Sequence, residues 1–272
     1  MPVLVDPVFE RKLKSLQRAM NLLTVSGQPK MAKSLSAGVI TAVLHLLPAG
    51  EYDATRVRLG LAPMGVNLCP FAGECRGPCL NTSGRGGIPM ASAGPFLNNV
   101  QQARYRRTDL YVNDRDRFMR DLRVDLRMLA AFATGMEYQF ALRLNGTSDI
   151  DFGREAPEVI ALALSSGFET YDYTKRPIRF DPSAPVRLVY SLDAGAARKR
   201  HALRYLADGG TVAIVFDVKG KRPLPATWNG YPVIDGDLSD LRSRDPAGVV
   251  VGLRNKGAAR KLKPGGFVQP VG

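Results

Sequence analysis

From residue 136 onward the chain alternates short, β-rich apolar runs with helical segments, and this rhythm restricts its fold more than any other feature. The runs fall at residues 136–144, 168–173, 186–192, 211–218, 231–234 and 249–253, with helical stretches at 156–165 and 194–207 between them. Strands separated by helices imply βαβ units, because a parallel neighbour is reached only by a crossover. An alternating run at 55–61, with Val57 and Leu59 between Arg56 and Arg58, brings the count to about seven strands. No Gly-x-Gly-x-x-Gly fingerprint follows any of them. The expected fold is therefore α/β, a partial or complete parallel (β/α) barrel of six to seven strands, rather than a doubly wound dinucleotide fold.

The first fifty residues read differently. Leu13, Leu16, Ala19, Met20 and Leu23 recur at helical spacing, Gly27 and Pro29 interrupt, and residues 31–47 resume a helical pattern. This predicts a helical N-terminal extension, 1–50, ahead of an α/β barrel domain, 51–272. Residues 113–134 predict a long amphipathic helix, with Phe118, Leu122, Leu126 and Leu129 on one stripe and Arg120, Arg123 and Arg127 opposite. Between them, residues 80–99 form a Gly/Ser/Asn/Pro-rich loop, long enough to suggest a functional role.

An apolar fraction of 45% in 272 residues is enough for a substantial core and excludes a disordered tail protein. No run of some 18 apolar residues exists, so no membrane span is expected, and the N-terminus lacks the pattern of a secretory signal. A cytoplasmic location is expected. The 38 Lys+Arg against 25 Asp+Glu give a net charge of +13, which favours an acidic partner such as a nucleic acid or nucleotide.

All three cysteines, Cys69, Cys75 and Cys79, fall within eleven residues. An odd, clustered trio is a poor disulfide framework and is better explained by a shared metal. Pro70, Gly73, Gly77 and Pro78 turn the backbone tightly enough to aim three sulfurs at one point. Structural zinc wants four closed ligands; the fourth would be His45, His201 or a carboxylate such as Glu74, and neither histidine has local ligand spacing. Three thiolates suit a [4Fe-4S] cluster with one iron open to an exogenous ligand. Structural zinc and a purely buried cysteine group are the alternatives.

Polar residues recur where the runs end: Asn145, Thr147, Ser148 and Asp149; Asp172, Thr174 and Lys175; Ser191 and Asp193; Asp217; Asp235 and Asp237; Lys256. In an α/β barrel that rim carries the active site, so these side chains are expected to surround one cavity facing the cysteine loop. Capping and turn formation explain any one of them equally well.

Three cysteines after the first strand of a barrel resemble the layout of the radical S-adenosylmethionine enzymes. There the open iron binds the methionine end of S-adenosyl-L-methionine and an electron cleaves the sulfonium. The spacing CxxxxxCxxxC departs from that superfamily's CxxxCxxC. A broader resemblance, over residues 55–260, is to a phage-encoded family named after mycobacteriophage gene product eighty-eight. Its landmarks here are NLCPFAGECRGPCLNTSGRGG, LRLNGTSD, YDYTKRP, VYSLDAGA, PVIDGDLSDLR and VVVGLRNKGAAR. The resemblance implies phage origin, hence the host cytoplasm, and an iron–sulfur-like motif; it implies no reaction.

Three functions compete. In an iron–sulfur enzyme acting on a nucleic acid or nucleotide, Cys69, Cys75 and Cys79 hold the cluster. Asn81, Ser83, Gly84 and Gly86 then cradle the cofactor's methionine end, Asn145, Ser148 and Asp149 bond its ribose or amino acid, and Lys175 meets a carboxylate or phosphate. In a basic nucleic-acid-binding phage protein the cluster or zinc is only structural and catalysis is absent. In a hydrolase, Asp217, Asp235 and Asp237 hold a divalent ion.

Overall fold

A computed structural model of the chain describes residues 7–25 and 38–271. It is α/β, built on a ten-stranded, mostly parallel sheet. The strands are β1 (Leu23–Thr24), β2 (Val39–Leu44), β3 (Gln139–Arg143), β4 (Glu169–Thr174), β5 (Arg187–Ser191) and β6 (Thr211–Phe216), then β7 (Thr227–Trp228), β8 (Tyr231–Asp235), β9 (Val250–Arg254) and β10 (Val268–Gln269). Five of them, β2 to β6, lie side by side in chain order and parallel, and β9 and β8 continue the sheet in parallel. Short antiparallel strands, β1 and β7, form the two ends. No pairing joins those ends among the described residues, so the closed form of the barrel is not what is seen.

The sheet separates two apolar layers by the alternation of side chains along each strand. Ile40, Ala42 and Leu44 of β2, with Phe140 and Leu142 of β3, pack on the helices. On the opposite face Val39, Ala141 and Tyr171 gather around Leu241, and Val189, Ala213 and Val251 form a second patch. Leu241 comes from the β8–β9 connection, which thus covers the N-terminal ends of β2 to β4.

The helices are α1 (Pro7–Ala19), α2 (Glu51–Arg58), α3 (Asn99–Asn113), α4 (Arg115–Met136), α5 (Phe152–Glu155), α6 (Pro157–Ser165) and α7 (Ala196–Ala207). The expected stripe of α4 is its core face: Phe118, Leu122, Leu126 and Leu129 are all fully buried. Arg120 and Arg127 are exposed, and Arg123 lies 3.5 Å from Glu158. The same stripe holds a buried carboxylate. Asp125 accepts the backbone N–H groups of Asn21, Leu22 and Leu23 at 2.8–3.0 Å, which pins the turn after α1 to α4.

Three expectations are corrected. Residues 39–44, read within a helix, are β2; all six are buried, and a fully buried strand has no alternation to distinguish it from buried helix. The sheet therefore runs across residue 50, and the N-terminal segment is not simply helical. Residues 55–61, read as a strand, belong largely to α2, where Val57 is 58% exposed and its alternation with arginine is incidental. Gly27, Pro29 and the start of the 31–47 segment lie outside the described residues.

Candidate functional site

The cysteine segment leaves the sheet after β2, crosses its C-terminal edge and returns through α3. Four short 3-10 turns, at Glu74–Arg76, Leu80–Thr82, Gly84–Gly87 and Ala91–Ala93, replace any regular element. Hydrogen bonds from backbone N–H groups fasten it at both ends of the site. Leu68 donates to the carbonyl of Ala49 (3.3 Å), and Asp149 N–H donates to the carbonyl of Leu68 (2.8 Å). Gly73 N–H donates to Oδ2 of Asp193 (3.0 Å), and Phe267 N–H donates to Oε2 of Glu74 (2.9 Å).

Cys69 is buried, with its Sγ 3.6 Å from the carbonyl of Thr147. Cys79 Sγ accepts the N–H of Asn81 at 3.5 Å. Burial pushes the Cys69 thiol up to about 12 and the Cys75 thiol up to about 11, and it raises Cys79 as well. Thiols in such a setting carry their protons at neutral pH unless a metal displaces them. The donor chemistry, three thiols on one loop, fits a thiolate-held cluster. Their spacing does not yet close a shell: among the described residues, no three or more His, Cys, Asp or Glu side chains are gathered as a metal ion requires.

Beneath the loop, the expected ligand-binding residues form two hydrogen-bonded groups. In the first, Asn145 Nδ2 donates to Asp172 (2.8 Å) and to the Ile150 carbonyl (2.9 Å), while its Oδ1 accepts from Ser148 Oγ (2.9 Å) and Ile150 N–H (2.8 Å). Asp149 accepts from Thr174 Oγ1 (2.7 Å) and from Lys175 N–H (2.9 Å). Lys175 Nζ donates to Ser191 Oγ (3.0 Å) and to the Ser191 carbonyl (3.1 Å), and lies 3.8 Å from Asp193. Although burial opposes it, Lys175 together with the N–H groups of Ala194 and Gly73 holds the Asp193 carboxyl below its usual range. Burial outweighs the opposing pull of Arg143, Asn145 and the Tyr173 N–H at Asp172, which sits on the helix side of the sheet and is pushed up to about 7. That side chain faces a cavity of about 200 Å³ lined by Leu142, Leu144, Thr170 and Leu188.

The second group lies under the 80–87 turns. Asn81 is 2% exposed, and Arg104 of α3 donates from Nη1 to its carbonyl (2.6 Å) and to its Oδ1 (2.7 Å). Ser83 is exposed, with Oγ 3.4 Å from the Cys79 carbonyl. Gly84 has φ +55°, a left-handed conformation that favours glycine. A Cβ on Gly86 would stand 2.5 Å from the Asn81 carbonyl oxygen and 3.2 Å from Arg104 Nη1, so a side chain has no room there.

The strand-end residues do not all surround one cavity. Lys175, Ser191 and Asp193 meet under the cysteine loop, and Asn255 donates to Asp217 at 3.3 Å beside them in the sheet. Asp235 and Asp237 form a separate ion cluster near the β7–β8 edge, paired with Arg254 at 2.8 and 3.1 Å and with Lys256. Both carboxylates are thus neutralised by cations, and the arrangement argues against their serving as ligands of a divalent ion.

Arg104 and its helix were absent from the expectations. The signal was present in Asn98, an N-cap residue ahead of the helix: its Oδ1 accepts the Gln101 N–H at 3.0 Å. Gln101 then reaches back to the carbonyls of Asn81 (2.6 Å) and Gly86 (2.9 Å).

Among the described residues, no helix is long and apolar enough to cross a membrane. No curated protein and no solved structure matches the chain. Residues 16–267 match the family described as Gene product 88.

Proposed function

We propose, for a chain that belongs to the gene product 88 family, that the cysteine loop holds an iron–sulfur cluster in a phage enzyme of radical S-adenosylmethionine-like layout, acting on a nucleic acid or nucleotide. The observation that carries this reading is the seat of the only three cysteines, on a loop fastened across the C-terminal ends of parallel strands that follow one another in chain order. In this reading β2 to β6 are the wall of a partial barrel, and the loop lies where such folds gather their reactive groups. Cys69, Cys75 and Cys79 would hold the cluster, which when bound and reduced supplies one electron to a sulfonium cofactor. Asp193 fixes the Gly73 turn, Asn81 N–H tunes Cys79 through its sulfur, and Arg104 and Lys175 place positive charge near an anionic centre.

The test is anaerobic purification with iron and sulfide quantitation. About four irons and matching acid-labile sulfide per chain are expected, both lost in the Cys69→Ser/Cys75→Ser/Cys79→Ser variant. Stoichiometric zinc without sulfide overturns the cluster. Adding S-adenosylmethionine to the reduced protein is expected to shift its electron paramagnetic resonance signal.

A specific observation favours a second reading. The polar atoms of Asn145, Asp149 and Lys175 are taken up by bonds within the protein, which leaves them less to offer a cofactor. An intact cluster whose spectrum ignores the cofactor selects this reading: a basic nucleic-acid-binding protein whose metal is structural.

A further inference from the structure

Positive charge is concentrated beside the cysteine loop, on two segments that the sheet brings together. Residues 254–263 contain Arg254, Lys256, Arg260, Lys261 and Lys263 and no acid; residues 219–222 read Lys-Gly-Lys-Arg. The segments touch. Arg254 Nε donates to the Arg222 carbonyl (3.0 Å), and Asn255 N–H donates to the Val218 carbonyl (3.1 Å). Residue 257 then abuts the cysteine loop, where a Cβ on Gly257 would meet Ser83 Oγ at 3.9 Å.

The nearby acids cancel only part of this charge: Asp217, exposed two residues before Lys219, accepts from Asn255 and forms no ion pair with these cations among the described residues. Asp235 and Asp237 are consumed by Arg254 and Lys256. Lys219, Lys221, Arg222, Arg260, Lys261 and Lys263 are exposed and make no ion pair among the described residues. Six solvated like charges on adjoining loops repel one another, a cost that a polyanion would remove. Past Lys263 the rim opens into a cleft of about 600 Å³, lined by Leu262, Pro264, Gly265, Gly266, Ala194 and Gly195 and by Glu74, whose carboxylate lies against Gly266 and accepts the Phe267 N–H. The cleft is wide open to solvent, and a nucleotide unit could lie against its floor without being enclosed.

We propose that the 219–222 and 254–263 loops form a track for a single strand of nucleic acid, which delivers one nucleotide into the cleft beside Glu74. A single strand fits better than a duplex, because a nucleotide enters a side cleft only when it is out of its stack. The proposal names the substrate class of the function proposed above and shares its choice of functional face, but it does not require the metal.

The test is fluorescence anisotropy of a labelled single-stranded DNA oligomer and its duplex at 50 and 200 mM salt, with the full chain. The wild-type protein is expected to bind the single strand more tightly, with a steep salt dependence. Removing five cations (Lys219→Ala, Lys221→Ala, Arg222→Ala, Lys261→Ala and Lys263→Ala) should weaken binding at least tenfold and flatten the log–log salt slope by about two to three. Arg120→Ala/Arg127→Ala on α4, equally exposed but distant in the chain, should bind as wild type. A 2-aminopurine in the strand should brighten on binding, and Ala194→Trp, which fills the cleft, should abolish that signal. Tighter duplex binding, wild-type affinity in the rim variant, an equal loss in the α4 variant, or no 2-aminopurine change overturns the proposal. Iron content, measured on the same samples, is expected to be unchanged in the rim variant. Its absence from the wild type would sink the cluster reading and leave this one standing.

Discussion

Arg104 reaches Asn81 with a single nitrogen, its Nη1 donating to both the backbone carbonyl at 2.6 Å and the side-chain Oδ1 at 2.7 Å. Asn81 in turn gives its N–H to Cys79 Sγ. A guanidinium that is 7% exposed, with no ion pair among the described residues, is thereby set one residue away from a cysteine sulfur. Burial lowers its pKa to about 10, which still leaves it charged at neutral pH. Buried charge without a carboxylate is costly, and an anionic centre on the cysteine loop would offset it.

Arg104→Gln should therefore loosen the loop. It leaves Asn81 Oδ1 without its donor, while the Asn81 carbonyl keeps the Gln101 amide, at a cost of about 1–3 kcal/mol. The expected result is a lower melting temperature together with faster proteolytic cleavage between residues 70 and 98, where wild type resists. Equal melting and equal cleavage would show that the Asn81 contacts carry no structural weight.

Gly86→Ala addresses the same junction from the loop side. The new Cβ would stand 2.5 Å from the Asn81 carbonyl oxygen, which is backbone and cannot swing away. Destabilisation of about 1–3 kcal/mol is expected, as for other overpacked sites, whereas Gly84→Asn, at φ +55°, should be tolerated better because Asn adopts left-handed backbone more readily than Ala. Thermal melts of the two variants check the order.

The Asp172 carboxyl has a pH signature. Burial raises its pKa from the ordinary carboxylate range to about 7. Between those values the folded protein binds more protons than the unfolded chain, so this group's contribution to stability falls as pH rises and is flat above about 7. Asp172→Asn cannot titrate. The difference in melting temperature between wild type and Asp172→Asn should therefore move in the mutant's favour as pH is raised from 4.5 to 7, and a constant difference would count against the raised pKa.

The thiols should alkylate slowly without metal. With its pKa at about 11, roughly one Cys75 in a thousand is ionised at pH 8. Iodoacetamide labelling followed by peptide mass spectrometry should accelerate up to pH 10, with Cys69 the slowest. Fast labelling at pH 7.5 would place a thiolate in the apo loop and overturn the raised pKa values.

What the sequence could disclose depended on how each segment is buried. The stripe of α4 was legible because Phe118, Leu122, Leu126 and Leu129 face a core while their neighbours face water, and half-burial writes a period into the chain. β2 was not, because Val39–Leu44 is buried on both faces and has no period to read. Arg56, Val57, Arg58 and Leu59 gave a false period, since exposed helix residues are under little constraint. For the candidate site, the trio of cysteines and the Asn145–Asp149 and Lys175 segments were legible as chemistry. Their bonds were not.

By itself, then, the sequence determined the α/β class, the parallel character of the C-terminal strands and the placing of three thiols on one turning loop. Those properties are local: they follow from side-chain period, from Pro and Gly in the backbone, and from spacing along the chain. Only the tertiary structure decided that the sheet has two ends, that Asp193 and Asp149 anchor the cysteine loop, and that Arg104 stands beneath it. It also decided that Asp235 and Asp237 are spent on Arg254 and Lys256. The physical reason is that a buried polar atom must find a partner wherever the fold offers one. Leu22 finds Asp125 across 103 residues, and Asn145 finds Asp172 across 27. Nothing in a local pattern encodes which of many donors will arrive.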